Sequence, residues 1–526
     1  MSTSTATPPP GVATEPRPRR LGLDPLVPLW LLAPVVTWIG HGFTNGVTRD
    51  VALYIQAGQA VADGEPPYVA VWNRAGPLAH LLPGLGVSLG RWVGAEDVTG
   101  ARVLYFALAA LTPVLVYVTV RTVFGSRLGG SVGAAAMVSF PLWAHFSTSG
   151  PDSKQPMVVF MALALMLVVQ RRMLLAGVAT ALATLTWQPV LFALALAALV
   201  MGLTADGGWR GRVLALGRFA LGGLATLTAT VLYFVAAGAL SDFLDGFWRA
   251  NAGYTSQPPL LRHLPAVSAG MQHWFGWTLW LLLGGLVLSV VVALVVLVLR
   301  PVAGTPLADA RAGAVATGAA TVGAVAWSFY AFNAAPDSLL VLTVAAVGLG
   351  NGAALLAHAV SGWKVPRTAL AVGVAGFVLA ALVTTALEMV GTAKSTILGG
   401  RNQAEKVLSP LPEASVMTVG VPQPLALTGR RSISPYQLFS PAIQRWIDDT
   451  WPGGLTAYVS WVREQEAEVL FTVPGPMPQL FKPLEPDYVP VGRFHSWRAW
   501  LHVDVDKSTR RQVDEALSAK RRTRAQ

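Results

Sequence analysis

The chain has no cysteine in its 526 residues. That excludes disulfides, thiolate metal sites and dithiol redox motifs, and it leaves the compartment of the loops unspecified by cysteine usage. Charge is also scarce, at 12% of residues against about 25% in soluble domains. No P-loop lysine pattern and no HExxH motif occurs, so neither nucleotide-phosphate binding nor zincin chemistry has a carrier. Spacings of the GxGxxG kind fall inside apolar runs, where glycine serves close helix packing. No internal repeat is evident.

What is present is apolar. Hydrophobic residues make up 53% of the chain and the mean hydropathy is +0.52. Apolar runs recur at 25–43, 101–123, 129–146, 156–169, 173–203, 213–238, 274–299, 312–330, 339–358 and 369–390. Most are long enough to cross a hydrocarbon layer of about 30 Å. The run at 173–203 would be about 46 Å long as one helix, and Gln188-Pro189 lies near its middle. Splitting it there gives eleven crossings, so the fold class is an α-helical polytopic membrane protein of about 11 transmembrane helices.

Basic residues test the split. With the amino terminus cytoplasmic, 14 Lys and Arg fall in segments on that side, from Arg17 to Arg367. The short loops on the other side, 147–155, 187–189 and 331–338, hold only Lys154. This is the positive-inside asymmetry. It accounts for much of the net charge of +11 without a nucleic-acid partner, and it places a multi-pass chain in the plasma membrane.

Residues 1–20 read as a disordered cytoplasmic tail, 21–394 as the membrane domain, 395–505 as an extracytoplasmic α/β domain and 506–526 as a basic, frayed tail. In 395–505, the stretches 414–421 and 467–474 read as strands, and 441–451 and 455–465 as helices. Residues 77–89 are apolar but short and read as a helix lying in the outer interface.

Polar chemistry crowds the outer loops. Asp50 follows Arg49 at the start of the first loop and is placed to accept a proton or hold a divalent cation. Capping of the next helix is the bland account. In HFSTSGPDSKQP (145–156), Asp152 and Lys154 precede a span and offer a second acid and a cation; capping and snorkelling would also explain them. Asp337 in NAAPDSLLVL (333–342) repeats the pattern. Convergence of the three acids is an assumption of this reading. In 241–263, Phe243, Phe247, Trp248 and Tyr254 surround Arg249 and Arg262. They form either an aromatic belt or a lipid groove with arginine for a phosphate.

On these residues the chain resembles the GT-C superfamily of integral-membrane glycosyltransferases. The resemblance rests on Asp50 and Tyr54, then Gly64-Glu65-Pro66-Pro67-Tyr68, then Gly76-Pro77-Leu78. It is closer to the actinobacterial dolichyl-phosphate-mannose mannosyltransferases, through FNAAPDSLLVL (332–342), LTGRRSISPYQLF (427–439) and DDTWPGGLTAYVSWV (448–462). The resemblance implies transfer of a sugar, mannose above others, from a polyprenyl-phosphate donor to an acceptor hydroxyl on an envelope glycan, glycolipid or protein. It makes Asp50 the base of an inverting reaction and Asp152 its support. Arg49, Tyr68, Arg74, Lys154, Trp248, Arg249, Arg262 and Asp337 are then the substrate-binding residues. Arg49 stands where such first loops often carry a second acid, which weakens the case for a Mg or Mn ion there. A lipid or polysaccharide transporter is the rival reading. It would need ionisable residues at mid-membrane depth, and few occur. A binding module on a membrane anchor is a third reading, for which eleven spans are excessive.

Overall fold

A computed structural model of the chain describes residues 24–40, 42–254, 260–299, 305–360, 367–390 and 396–522. The predicted tail at 1–20 lies outside them. All the apolar runs are helical, but several are broken. The first divides at Ala33-Pro34 into α1 (Leu26–Leu32) and α2 (Val35–Ile39). α3 (Arg49–Ala62) and α4 (Leu78–Trp92) fill the first loop and pack on each other. α5 (Asp97–Phe124) ends at Gly125, in the left-handed conformation that glycine tolerates.

The run at 129–146 divides at Phe140-Pro141 into α6 (Arg127–Ser139) and α7 (Pro141–Ser149). Ser126 caps α6, its Oγ accepting from the Gly129 N–H at 3.0 Å. α8 (Lys154–Val169) then leaves α7 at 115°. The long fifth run divides where Gln188-Pro189 predicts, into α9 (Met173–Thr184) and α10 (Val190–Leu203). Proline explains these divisions, because it removes a backbone donor and clashes with the preceding turn.

α11 (Gly208–Ala236) leads into α12 (Leu240–Phe243), a π turn over Leu244–Arg249, and α13 (Ala250–Tyr254). α14 (Leu260–Phe275), α15 (Thr278–Val298), α16 (Pro306–Tyr330), α17 (Leu339–Ala359) and α18 (Arg367–Val390) complete the membrane part. A 3-10 turn over Ala335–Ser338 precedes α17. Among the described residues, six helices are long and apolar enough to cross a membrane, or seven if α7 and α8 count as one bent span. The chain is a multi-pass membrane protein. The other runs expected to cross form shorter or interrupted helices, and eleven crossings remain an expectation from the sequence.

α17 is buried along most of its length and packs against α5, α6 and α15. Its approach to α15 requires glycine, since a Cβ on Gly285 or Gly348 would collide with the opposite backbone.

α19 (Ile397–Leu408), capped by Thr396, opens the C-terminal part. β1 (Val416–Val419), α20 (Gln423–Thr428), α21 (Pro441–Thr450), α22 (Gly454–Glu464), β2 (Val469–Thr472), β3 (Tyr488–Arg493), β4 (Arg498–His502) and α23 (Lys507–Arg522) follow. The sheet order is β1-β2-β4-β3; β1 and β2 are parallel, the other pairs antiparallel. The strands and helices expected in 414–474 are present. The expected frayed tail is instead helix through Arg522, because Val513 is fully buried beneath it with Leu517 alongside.

This part docks on the first loop. Trp72 stacks on Trp446 with ring centroids 5.3 Å apart, and Trp72 N–H donates to the Pro435 carbonyl at 3.0 Å. Arg91 bridges Asp63 and Asp97 at 2.6 and 2.8 Å, while Arg431 pairs with Asp63 and Arg401 with Glu96.

Candidate active site

Asp50 stands in the first turn of α3, where Thr48 caps the helix and the helix dipole favours a carboxylate. Its side chain is 64% exposed, and Arg49 reaches it only loosely, at 3.8 Å. One turn later, the Tyr54 hydroxyl donates to Ser153 Oγ at 3.1 Å. That bond ties α3 to the turn between α7 and α8.

In that turn, buried Asp152 accepts the Lys154 N–H through Oδ1 at 2.8 Å. This is the local helix-start geometry the sequence allows. The Lys154 side chain runs to Asp337, with Nζ 2.7 Å from Oδ1. Asp337 uses its other oxygen to accept the Asn333 N–H at 2.7 Å. Lys154 Nζ also lies 5.1 Å from the centre of the Trp187 ring. The three short loops at 147–155, 187–189 and 331–338 therefore meet at one point. The assumed convergence of Asp152 and Asp337 is present, and the charge of Asp50 acts on both Asp152 and Lys154. Burial is the largest influence on the Asp152 carboxyl and raises its pKa. Lys154 opposes the shift, and Asp50 and Asp337 add to it.

The three acids do not fit a preformed divalent-cation site. Both Asp337 oxygens are engaged, and Lys154 already supplies the positive charge between buried carboxylates. Among the described residues no three Asp, Glu or His side chains group as metal ligands.

Arg74 belongs to this neighbourhood, since its charge acts on Tyr54. It is half-buried, and its Nη1 has no hydrogen-bond partner among the described residues. Burial lowers its pKa, Tyr54 opposes that shift, and the like charge of Arg445 adds to it. A cationic group in this state gains from an anion.

Of the other predicted residues, Tyr68 is linked to the same neighbourhood through the charge of Tyr54. Tyr68 is buried at φ +75°. Its hydroxyl donates to the Ala75 carbonyl at 2.8 Å, and its ring packs with His80, Phe234 and Phe243. Arg249 pairs with Asp245 four residues earlier at 2.6 Å, both near the surface. Trp248 is largely exposed. Arg262 falls in α14, with its side chain outside the described residues.

Sequence reasoning missed Arg102. It is fully buried at the start of α5. It donates to the carbonyls of Phe43, Asn45 and Gly46 on one side and Ser149 and Gly150 on the other, at 2.6–3.3 Å. The guanidinium thus clamps the approach to Asp50 against the approach to Asp152. An arginine inside an apolar run was the available signal.

Four solved structures share this arrangement of helices. ArnT from Cupriavidus metallidurans in the apo state aligns with a TM-score of 0.58 at 14% identity, over 90% of this chain and 97% of that one. The same protein bound to undecaprenyl phosphate gives 0.55 at 14%, over 92% and 99%. Archaeal oligosaccharyltransferase AglB from Archaeoglobus fulgidus, in complex with an inhibitory peptide and a dolichol-phosphate, gives 0.50 at 12%, over 85% and 69%. The chain has the GT-C fold. Arabinofuranosyltransferase AftD from Mycobacteria shares that GT-C fold over 91% of this chain and 40% of its own, with a TM-score of 0.50 at 14% identity. No protein-family model and no curated protein sequence matches. At these identities the likeness is one of fold.

Proposed function

We propose that this GT-C protein is a glycosyltransferase that moves a sugar from a polyprenyl-phosphate donor to an acceptor hydroxyl, with Asp50 as the base. The observation that carries the reading is one exposed carboxylate, Asp50, whose charge acts on a buried cluster in which Lys154 is paired with Asp337 and Asp152 accepts the Lys154 N–H. The fold supports the donor class, because ArnT and AglB structures contain a polyprenyl phosphate and a dolichol-phosphate.

In the proposed reaction the Asp50 carboxylate takes the proton of the acceptor hydroxyl. That oxygen attacks the anomeric carbon, the bond from that carbon to the phosphate oxygen breaks, and polyprenyl phosphate departs. A single displacement inverts the anomeric centre. Charge grows on the leaving phosphate, and Arg74, with Arg49 near Asp50, meets it. Lys154 and Arg249 already have acid partners and are less available for that role. Asp152 shapes the turn that holds Tyr54. The basic-residue asymmetry puts the site and residues 395–505 on the extracytoplasmic side of the plasma membrane. The sugar is mannose on the sequence resemblance alone.

The test is sugar transfer in membranes supplied with polyprenyl-phosphate mannose, comparing the wild type with Asp50→Asn at matched expression. The expected loss is about 10²–10⁴-fold with donor binding retained. Full activity in the variant would move the base elsewhere. No transfer by the wild type from any polyprenyl-phosphate sugar would return the chain to the transporter reading.

A further inference from the structure

The end of the bundle away from Asp50 carries a groove of about 220 Å³. It lies at the far end of α8 from Lys154, about 24 Å along that helix. The start of α9, the end of α10 and the first turns of α11 frame it. Met173 and Met201 are its buried part, and Leu214 is exposed on its rim. Arg171 and Arg218 line it with exposed side chains, and Asp206 is the one acid in the lining. Asp206 forms no ion pair with either arginine among the described residues.

Both arginines occupy positions that disfavour them. Arg218 falls inside the apolar run at 213–238, about 15 Å along α11 from Gly208. Only 11% of the apolar stretch of α11 is buried within the protein. Leu214 and Leu221, four residues before Arg218 and three after it, share its face and are exposed. Arg102 also falls inside an apolar run, but it has backbone carbonyl partners. Arg218 has no hydrogen bond or ion pair among the described residues. A lone cation on a lipid-facing stretch is costly unless it meets an anion or water. Arg171 holds the left-handed position that closes α8, at φ +58°, where glycine is usual. Its side chain is thus kept at a backbone cost. It donates through Nη1 to the Thr204 carbonyl at 3.2 Å, and its other N–H groups make no further bond among the described residues.

Charge and surface together select the ligand. Two guanidiniums against one carboxylate leave the groove cationic, and guanidinium forks match phosphate oxygens. The leucine face of α11 continues from that seat, so a phosphate head joined to acyl chains covers both parts. Inorganic phosphate would leave the apolar part bare. Basic pockets between spans hold anionic headgroups in this way. We propose that this groove binds the phosphate of an anionic phospholipid from the leaflet at this end, with its chains along the Leu214–Leu221 face of α11. The site is separate from the sugar-transfer site and does not depend on the glycosyltransferase reading.

Binding is measured by native mass spectrometry of the purified full-length protein with added phosphatidylglycerol or phosphatidylcholine. Phosphatidylglycerol should bind more tightly, because phosphatidylcholine brings a cation of its own. Arg171→Gly and Arg218→Leu should each weaken phosphatidylglycerol about fivefold, and together about 25-fold, with phosphatidylcholine unchanged. The first variant relieves the left-handed backbone and the second suits a lipid-facing position, so both should fold. Leu214→Trp, on the exposed rim, should fill the groove and weaken the same lipid with both arginines in place. Arg210→Gln/Arg212→Gln removes two arginines of α11 outside the groove lining and should have less effect than either groove arginine. Inorganic phosphate at equal concentration should not displace the lipid. Equal binding of the two lipids, unchanged binding in the groove variants, an equal loss in the Arg210/Arg212 variant, or displacement by inorganic phosphate would each overturn the site.

Discussion

The two ends of the helical bundle both bury an acid among basic partners, and they do so with opposite charge balance. At one end, Asp24 receives the Tyr117 hydroxyl at 2.7 Å, an ion pair from Arg121, and Arg127 at 3.3 Å. One carboxylate has more donors than it needs. Burial would raise its pKa, but Tyr117, the Leu26 N–H and the two arginines outweigh that and hold it below the usual carboxylate range. At the other end, Asp50, Asp152 and Asp337 share Lys154 as the cation directly bonded to one of them, and Asp152 is shifted upward. A saturated acid fastens helices. Under the proposed function, a surplus of carboxylates, one of them exposed, serves proton transfer. On that proposal, buried ion pairs of similar appearance differ in role according to how many donors each acid has.

The sharpest way to break this contrast is Asp50→Asn. Transfer should fall about 10²–10⁴-fold, while the thermal midpoint in detergent stays at the wild-type value, because the carboxylate is exposed and its pairing with Arg49 is loose. A drop in midpoint equal to that of an Asp24 variant would erase the distinction. Lys154→Met comes next. It strands the 8%-exposed Asp337 side chain, and breaking a buried pair costs about 3–5 kcal/mol. Chemical denaturation should recover most of that loss in the double variant Lys154→Met/Asp337→Asn, whose amide still accepts from Asn333. No recovery would mean that Lys154 acts mainly through its contact with Trp187.

Much of the fold was legible because helix and strand periods are local. The interruption at Gln188-Pro189 was read correctly, yet Pro34 and Pro141 break helices by the same mechanism and were passed over. The site was legible only in its parts. Asp152, Lys154 and Asp337 could be picked out one by one, but Lys154 and Asp337 are 183 residues apart, and no local pattern encodes that pairing. Arg102 was hidden for a different reason: its partners are backbone carbonyls, which carry no side-chain identity. Arg249 shows the reverse. Asp245 lies four residues before it, a helical spacing that predicts pairing, and that simpler account competes with a phosphate-binding role.

At the saturated end, Asp24→Asn should cost about 1–3 kcal/mol. The range is below that for a fully buried pair because Arg127 is 59% exposed and water screens it. Transfer per folded molecule should be unchanged. In the wild type, the Asp24 contribution is present above the usual carboxylate pKa and is lost as pH falls through its lowered folded value. The gap between variant and wild type should therefore close on acidification, as read by denaturation midpoints across a pH series. A gap that persists in acid would show that the loss comes from packing rather than charge.

Asp152→Asn should give the smallest change in stability, and with the opposite sign. The raised folded pKa means that ionising Asp152 costs the fold more than it costs the unfolded chain. The protonated form stabilises the fold below the usual carboxylate pKa, and that contribution is lost as pH rises through the folded value. Asparagine mimics the protonated carboxyl and its Oδ1 can still accept the Lys154 N–H. The variant should thus match the wild type in acid, gain on it as pH rises through the folded pKa, and hold a constant advantage above it. If the variant is instead less stable than the wild type at neutral pH, then Lys154 needs the Asp152 charge as well as that of Asp337. The cluster would then be a saturated fastening like the one around Asp24, and Asp50 alone would carry the chemistry.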